Sequence, residues 1–393
     1  MTKQPTAKNN LTSAAILTLC NNCGPSNYGQ MLQCYAMVKL FASLGTDPYV
    51  VLYRKKDEKD SLKHNFSLKN PIGRWLNTHY ETYYKERNVE SRSTRTMRFE
   101  QFIQDYIPHT TPCYTKDMVE YVTKDSNLLI CGSDQIWQPL WFGSDHIWQL
   151  DFGTDVQRRI AYAPSGIFYE DESNSSVYQH MIPSIEKLDY VTLREEIGLK
   201  ILSKYTDKPM RTAPDPTLLL SQEDWNSICA PQLIEGDYIF CYTLGIIRPY
   251  PYILRQLSEA VGIKKIIYIP TNLTPEGIPL KMESYPDVGP MEFLSLIRHA
   301  RAVCTDSFHG TVFSILFEKP FYNLRRTQYD PLNPGKSERI SNLLGQLGIP
   351  DRTVDNAGKL KHLNDKDFNY PAVREKLQNL RNFHISELKK ILR

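Results

Sequence analysis

The chain reads as an α/β protein built from two parallel-sheet units, and three observations carry that reading. Short apolar runs rich in Ile, Val, Leu and aromatic residues alternate with segments of helical period, the pattern of parallel strands joined by crossover helices. The length of 393 residues is well over twice the ~150-residue domain prior. A turn-rich stretch, Ala230-Pro231 to Gly236-Asp237, breaks the alternation, and a second series begins after it.

In the first series the apolar runs predict strands at Ala15 to Leu19, Val50 to Tyr53, Leu128 to Cys131, Ile160 to Ala163, Tyr190 to Leu193 and near Arg211 to Ala213. Between them, residues 54–98 carry charge, Ser and Asn with weak periodicity and are expected to form a helical or irregular excursion. Phe99, Phe102, Ile103 and Tyr106 have the spacing of a helix that ends before Pro108. Ser221-Gln222-Glu223-Asp224-Trp225 has the form of a helix start. The second series predicts strands at Tyr238 to Tyr242, Ile266 to Ile269, Ala302 to Thr305 and Pro320 to Leu324, with a helix from Met291 to Arg298. From Pro371 to Arg393 the residues Val373, Leu377, Leu380, Ile385, Leu388 and Ile391 form one apolar stripe, with Pro in the first turn and basic residues in the last. The expected divisions are therefore 1–230, 231–370 and a terminal helix over 371–393.

Composition narrows the function classes. A net charge of +3, from 47 basic and 44 acidic side chains, argues against wholesale attraction to nucleic acid or anionic lipid, so any anion site must be local. Hydrophobic residues at 41% and charged residues at 23% exclude a mainly disordered chain. The apolar run Ala14 to Cys20 falls far short of the ~20 residues that span a bilayer, and no Ala-x-Ala cleavage sequence follows it. A cytoplasmic location is expected, with contact at the inner face of the membrane left open. The eight cysteines are scattered, and Cys20-x-x-Cys23 lacks a second pair to complete four zinc ligands, so reduced core thiols and no metal are expected. The 24 Tyr and 5 Trp offer flat surfaces with polar edges, useful against sugars and equally at home in cores.

Sites on parallel sheets lie at the carboxyl ends of strands, which directs attention to the following loops. After the first strand, Asn27, Tyr28 and Gln30 stand at a helix start, where Ser26 or Asn27 caps the helix or the free N–H groups hold sugar hydroxyls. Gly132-Ser133-Asp134-Gln135-Ile136-Trp137 puts a carboxylate, an amide and an indole at the sheet edge. Asp134 could take a proton from a sugar hydroxyl, and Trp137 is either a stacking surface or a buried seam residue. Arg194 follows the strand Tyr190 to Leu193, where a guanidinium suits a carboxylate or phosphate unless it pairs with Glu195 or Glu196. The richest stretch runs from Ala302 through Thr305, Ser307, His309, Gly310 and Thr311. There a strand turns into a helix whose N-terminus favours phosphate, and His309 is able to exchange a proton near neutral pH.

Taken in order, Asn27-Tyr28-Gly29-Gln30, Gly132 to Trp137, Ile160-Ala161-Tyr162-Ala163, Arg194-Glu195, Asp215-Pro216-Thr217, Glu292-Phe293-Leu294 and Thr305 to Thr311 make the sequence resemble the polysaccharide pyruvyl transferase family. Each motif alone is weak, and the ordered set, from about residue 15 to about 350, is specific. The resemblance implies two Rossmann-like domains facing a central cleft, a GT-B-like fold whose last helix packs back on the N-terminal domain. It also implies phosphoenolpyruvate as donor, a sugar, oligosaccharide or lipid-linked glycan as acceptor, and no cofactor beyond the donor. It places Arg194 and His309 in donor binding or catalysis. Some members carry an arginine two residues before the histidine, where this chain has Ser307; Lys336 and Arg339 are the expected compensating cations. The chemistry then gives His309 as general acid or phosphate ligand, Arg194 as anion clamp and Asp134 as base. Donor contacts are expected from Thr305, Ser307, Gly310, Thr311, Lys336 and Arg339, and acceptor contacts from Asn27, Tyr28, Gln30, Gln135 and Trp137. Two other readings stand beside this one: a GT-B-like glycosyltransferase using a nucleotide sugar, and a non-catalytic glycan-binding homologue.

Overall fold

A computed structural model describes residues 12–20, 27–53, 89–138, 146–166, 168–169, 175–244, 250–270, 282–324, 336–354 and 368–393. Strands β1 (Thr12–Leu17), β2 (Thr46–Val50), β3 (Leu128–Cys131), β4 (Arg158–Ala161), β5 (Tyr190–Leu193) and β6 (Met210–Thr212) form one sheet in the order β2-β1-β3-β4-β5-β6. Strands β7 (Ile239–Tyr242), β8 (Ile266–Tyr268), β9 (Met282–Ser284), β10 (Ala302–Thr305), β11 (Phe321–Leu324) and β12 (Thr353–Val354) form a second, in the order β12-β11-β10-β7-β8-β9. Every adjacent pair is parallel. The central strands β3, β7 and β10 are buried at every position, which is why they read as unbroken apolar runs.

Helices α1 (Tyr28–Ser43), α2 (Val89–Tyr106), α3 (Lys116–Thr123), α4 (Ser175–Glu186), α5 (Glu196–Leu202) and α6 (Gln222–Ser227) accompany the first sheet. Helices α7 (Tyr250–Val261), α8 (Pro290–Arg298), α9 (Phe308–Leu316) and α10 (Lys336–Leu347) accompany the second, and α11 (Tyr370–Leu392) ends the chain. The Ser221 helix start is a capping box closed by Asp224.

Differences from the sequence reading have local causes. The strand expected at Val50 to Tyr53 is Thr46–Val50, and Pro48 is tolerated in it because β2 is an edge strand. The first strand ends at Leu17 because Thr18 leaves the sheet to accept a hydrogen bond from Gln33. Strands β9 and β12 are short edges of the second sheet, with too little apolar pattern to announce themselves. Most of the 54–98 excursion lies outside the described residues; its end belongs to α2.

One apolar core joins the two sheets. The Tyr28 ring on α1 stacks on Phe293 of α8 at 4.6 Å and meets Phe99 of α2 at 5.1 Å. Trp225 on α6 meets Phe313 of α9 edge-on at 4.8 Å. Helix α11 then crosses back: Arg374 pairs with Glu318, whereas Arg381 donates to the Leu218 carbonyl and Glu387 pairs with Arg211 beside the first sheet. Val373, Leu377 and Leu388 of the expected stripe are buried, and Leu380, Ile385 and Ile391 pack against the same core. Two facing parallel sheets with a returning terminal helix make the architecture α/β and GT-B-like. Among the described residues no helix is long and apolar enough to cross a membrane.

Candidate active site

The site forms where the carboxyl ends of both sheets meet. Strand β5 delivers Arg194, β6 leads through Ala213-Pro214 to Asp215, and β10 turns through Ser307 into α9 with His309 in its first turn. Arg194 Nη2 lies 2.7 Å from Asp215 Oδ2, and His309 Nε2 lies 3.4 Å from the same oxygen. One fully buried carboxylate thus faces a guanidinium from its own sheet and an imidazole from the other. Burial pushes the Asp215 carboxyl up, but Arg194, His309 and a hydrogen bond from Thr217 outweigh it and hold the group well below the usual carboxylate range.

Arg194 is positioned from several directions. Its Nη2 donates to Ser133 Oγ at 2.7 Å, and that hydroxyl donates to the Ala163 carbonyl. The Ser133 amide donates to Oε1 of the buried Gln33, whose Nε2 donates to Thr18 Oγ1, Leu19 O and Gln30 O. The guanidinium carbon lies 5.2 Å from the Phe308 ring centroid, and Nη1 is 3.9 Å from Asp134 Oδ1. Arg194 Nε and Nη1 are buried and have no hydrogen-bond acceptor among the described residues. Close packing fixes the surrounding backbone. Gly132 has φ +125°, and a Cβ there would fall 1.9 Å from the Tyr162 carbonyl oxygen. A Cβ on Gly29 would fall 2.1 Å from His309 Nδ1, so α1 packs directly against the imidazole. Asp134 and Ala163, at the ends of the neighbouring loops, both hold positive φ. Next along the chain, Glu195 accepts from Ser165 Oγ at 2.5 Å, and Arg339 Nη1 of α10 lies 3.4 Å from that hydroxyl.

A family model for polysaccharide pyruvyl transferase matches residues 27–327, more than half of the chain and all the residues just described except Thr18, Leu19 and Arg339. The chain belongs to the polysaccharide pyruvyl transferase family. No curated protein matches it. Among solved structures it is similar to a protein described as UDP-N-acetylglucosamine 2-epimerase from Listeria monocytogenes, at 10% identity and TM-score 0.46 over 93% of this chain and 94% of that one. It is also similar to UDP-N-acetylglucosamine 2-epimerase from Rickettsia bellii, at 10% identity and TM-score 0.43 over 97% and 98%. Arabidopsis thaliana UGT89C1 complexed with quercetin is similar at 9% identity and TM-score 0.45 over 97% and 99%. These likenesses are too distant to speak to chemistry.

Within this pyruvyl transferase family member, Arg194 lies 3.9 Å from Asp134 and shares Asp215 with His309, and Arg339 of α10 reaches Ser165. Gln30, in the first turn of α1, and Gln135, in the loop after β3, are half-buried. Other expectations are corrected. Tyr28 is buried, its hydroxyl donating to Val288 O at 2.7 Å, so its ring is part of the inter-sheet core and offers no face to a sugar. Trp137 is fully buried, with Nε1 donating to Trp148 O, and likewise offers no stacking face. Asn27 caps α1 by accepting from the Gln30 amide. Thr305, Ser307 and Thr311 spend their hydroxyls on the turn: Thr305 donates to Tyr242 O, Ser307 caps Gly310, and Thr311 donates to Ser307 O while accepting from Asn323. A Cβ on Gly310 would overlap Thr305 Oγ1 at 2.5 Å. These four residues build the turn that presents His309. Lys336 begins α10, and its side chain lies outside the described residues.

Asp215, Glu195, Ser133, Ser165, Gln33 and Gly29 were not assigned site roles from sequence. The available signal was Asp215-Pro216-Thr217 just after a strand, a form that a plain turn shares. Among the described residues no three His, Cys, Asp or Glu side chains form a metal-holding group.

Proposed function

We propose that this protein transfers pyruvate from phosphoenolpyruvate to two hydroxyls of one sugar in a cell-surface polysaccharide or its precursor, forming a pyruvate ketal. The observation that supports it is the pair of buried Arg194 N–H groups without acceptors, set beside His309 and tied to Asp215. Leaving a buried donor unpaired costs about 1–3 kcal/mol, and an anionic ligand removes that penalty with charge-assisted bonds. Phosphoenolpyruvate carries two anionic groups for such a clamp.

In this reading Arg194 holds the donor carboxylate or phosphate, and Asp215 keeps the guanidinium and imidazole oriented. His309 protonates the departing phosphate, and Asp134, 3.9 Å from Arg194, receives a proton from an acceptor hydroxyl. Gln30 and Gln135 are the acceptor-side groups, and Arg339 adds positive charge in place of the arginine missing at Ser307. The transfer is redox-neutral, and the donor's phosphate ester supplies the driving force, so no cofactor beyond the donor is required. Incubating the protein with phosphoenolpyruvate and candidate glycans, lipid-linked and nucleotide-linked, and weighing the products for a ketal tests the reading. A ketal with one phosphate released supports it; no adduct on any acceptor removes it.

A further inference from the structure

Ketal formation needs two proton donations, one to the methylene carbon and one to the departing phosphate, while His309 is a single imidazole. Its Nε2 faces Asp215 and its Nδ1 lies against Gly29. A second acid follows Arg194 in the chain. Glu195 occupies the N-cap position of α5, yet its carboxylate makes no capping bond and turns toward Ser165. Ser165 donates to Oε1, whereas Oε2 is buried with no hydrogen-bond partner among the described residues. Glu195 lines a small cavity with Arg194, Asp215, Phe308, Arg339 and Asn342.

We propose that Glu195 Oε2 carries the proton delivered to the methylene carbon of the donor, an assignment that rests on the pyruvyl-transfer reading above. The donor's C=C electron pair takes the proton and forms the C–H bond, leaving the adjacent carbon electron-poor. An acceptor hydroxyl oxygen bonds to that carbon and gives its proton to Asp134. The carbon–oxygen bond to phosphate breaks with both electrons on oxygen, and phosphate takes the proton from His309. The second hydroxyl closes the ketal, and the two hydroxyl protons restore Glu195 and His309. Because Ser165 donates to Oε1, the carboxyl proton is directed to Oε2. Burial raises the Glu195 carboxyl above the usual carboxylate value, against the opposing pull of Arg194, Arg339, the Ser165 hydroxyl and the Gly166 amide. The charged groups that line the cavity with it are Arg194 at its own strand end, Arg339 from α10 and Asp215.

The test compares wild type, Glu195→Gln, which keeps the Oε1 acceptor, and Glu195→Asp, which keeps an acid on a shorter stem. Steady-state kinetics with phosphoenolpyruvate should show kcat reduced at least ~100-fold in Glu195→Gln, with donor KM changed less than about threefold. The high-pH fall in kcat that reports loss of the Glu195 proton should disappear in that variant, and Glu195→Asp should recover at least about tenfold over it. If wild type forms the ketal and Glu195→Gln keeps kcat within about threefold, the role of Glu195 is overturned and pyruvyl transfer stands. If wild type forms no ketal from phosphoenolpyruvate, both fall.

Discussion

Asp215 Oδ2 and His309 Nε2 lie 3.4 Å apart, joining a loop that leaves the first sheet to the first turn of a helix in the second. The same oxygen is 2.7 Å from Arg194 Nη2, so one carboxylate sets the mutual position of the guanidinium and the imidazole. The inter-sheet core through Tyr28, Phe293 and Trp225 holds the two strand-end clusters in register around it.

Replacing Asp215 by Asn should destabilise the fold by about 3–5 kcal/mol at pH 7, because it removes the nearer of the two carboxylates beside the buried Arg194. The folded carboxyl is depressed, so its contribution is fully present above the unfolded value near 3.9 and is lost as pH falls through the lower folded value. Urea unfolding of wild type and variant should therefore show a gap that is constant at neutral pH and narrows below about pH 4.

Gly29→Ala separates stability from activity. Alanine is the better helix former by up to about 1 kcal/mol, yet its Cβ would fall 2.1 Å from His309 Nδ1. The imidazole has to swing away, and ketal formation should fall roughly 100-fold while Tm moves by less than about 4 °C. Product assays and thermal melts on the same preparation check both halves.

Ser133→Ala removes the hydroxyl that accepts from Arg194 Nη2 at 2.7 Å and leaves the Asp215 contact in place. A hydrogen bond to a charged group contributes about 1.5–3 kcal/mol, so donor KM should rise at least roughly tenfold, with a smaller change in acceptor KM. Equal effects on both substrates would place Ser133 elsewhere in the mechanism.

Tyr28→Phe tests the corrected role of that ring. Loss of the bond to Val288 O should cost about 1–3 kcal/mol in urea unfolding, and acceptor KM should stay within about twofold. A large rise in acceptor KM with unchanged stability would restore Tyr28 to the sugar site.

The architecture was legible where a buried strand runs unbroken and then meets a polar turn. Leu128 to Cys131, Tyr190 to Leu193 and Ala302 to Thr305 were readable for that reason, and they fix Asp134, Arg194 and His309 at the sheet ends. Aromatic residues were ambiguous because a stacking surface and a core side chain have the same composition; only burial shows that Tyr28 and Trp137 belong to the core. Asp215 and Glu195 were obscured for a different reason. Each looks like a local turn or ion-pair partner in sequence, and its significance comes from Arg194, His309, Ser165 and Arg339 arriving from other elements.

The most direct measurement is mass spectrometry of acceptor glycans after incubation with phosphoenolpyruvate, run beside an Arg194→Ala control and a parallel set of nucleotide sugars. The account predicts a pyruvate ketal on the acceptor, one phosphate released per ketal, and loss of both in Arg194→Ala. A glycan extended from a nucleotide sugar, with no ketal from phosphoenolpyruvate, would contradict it.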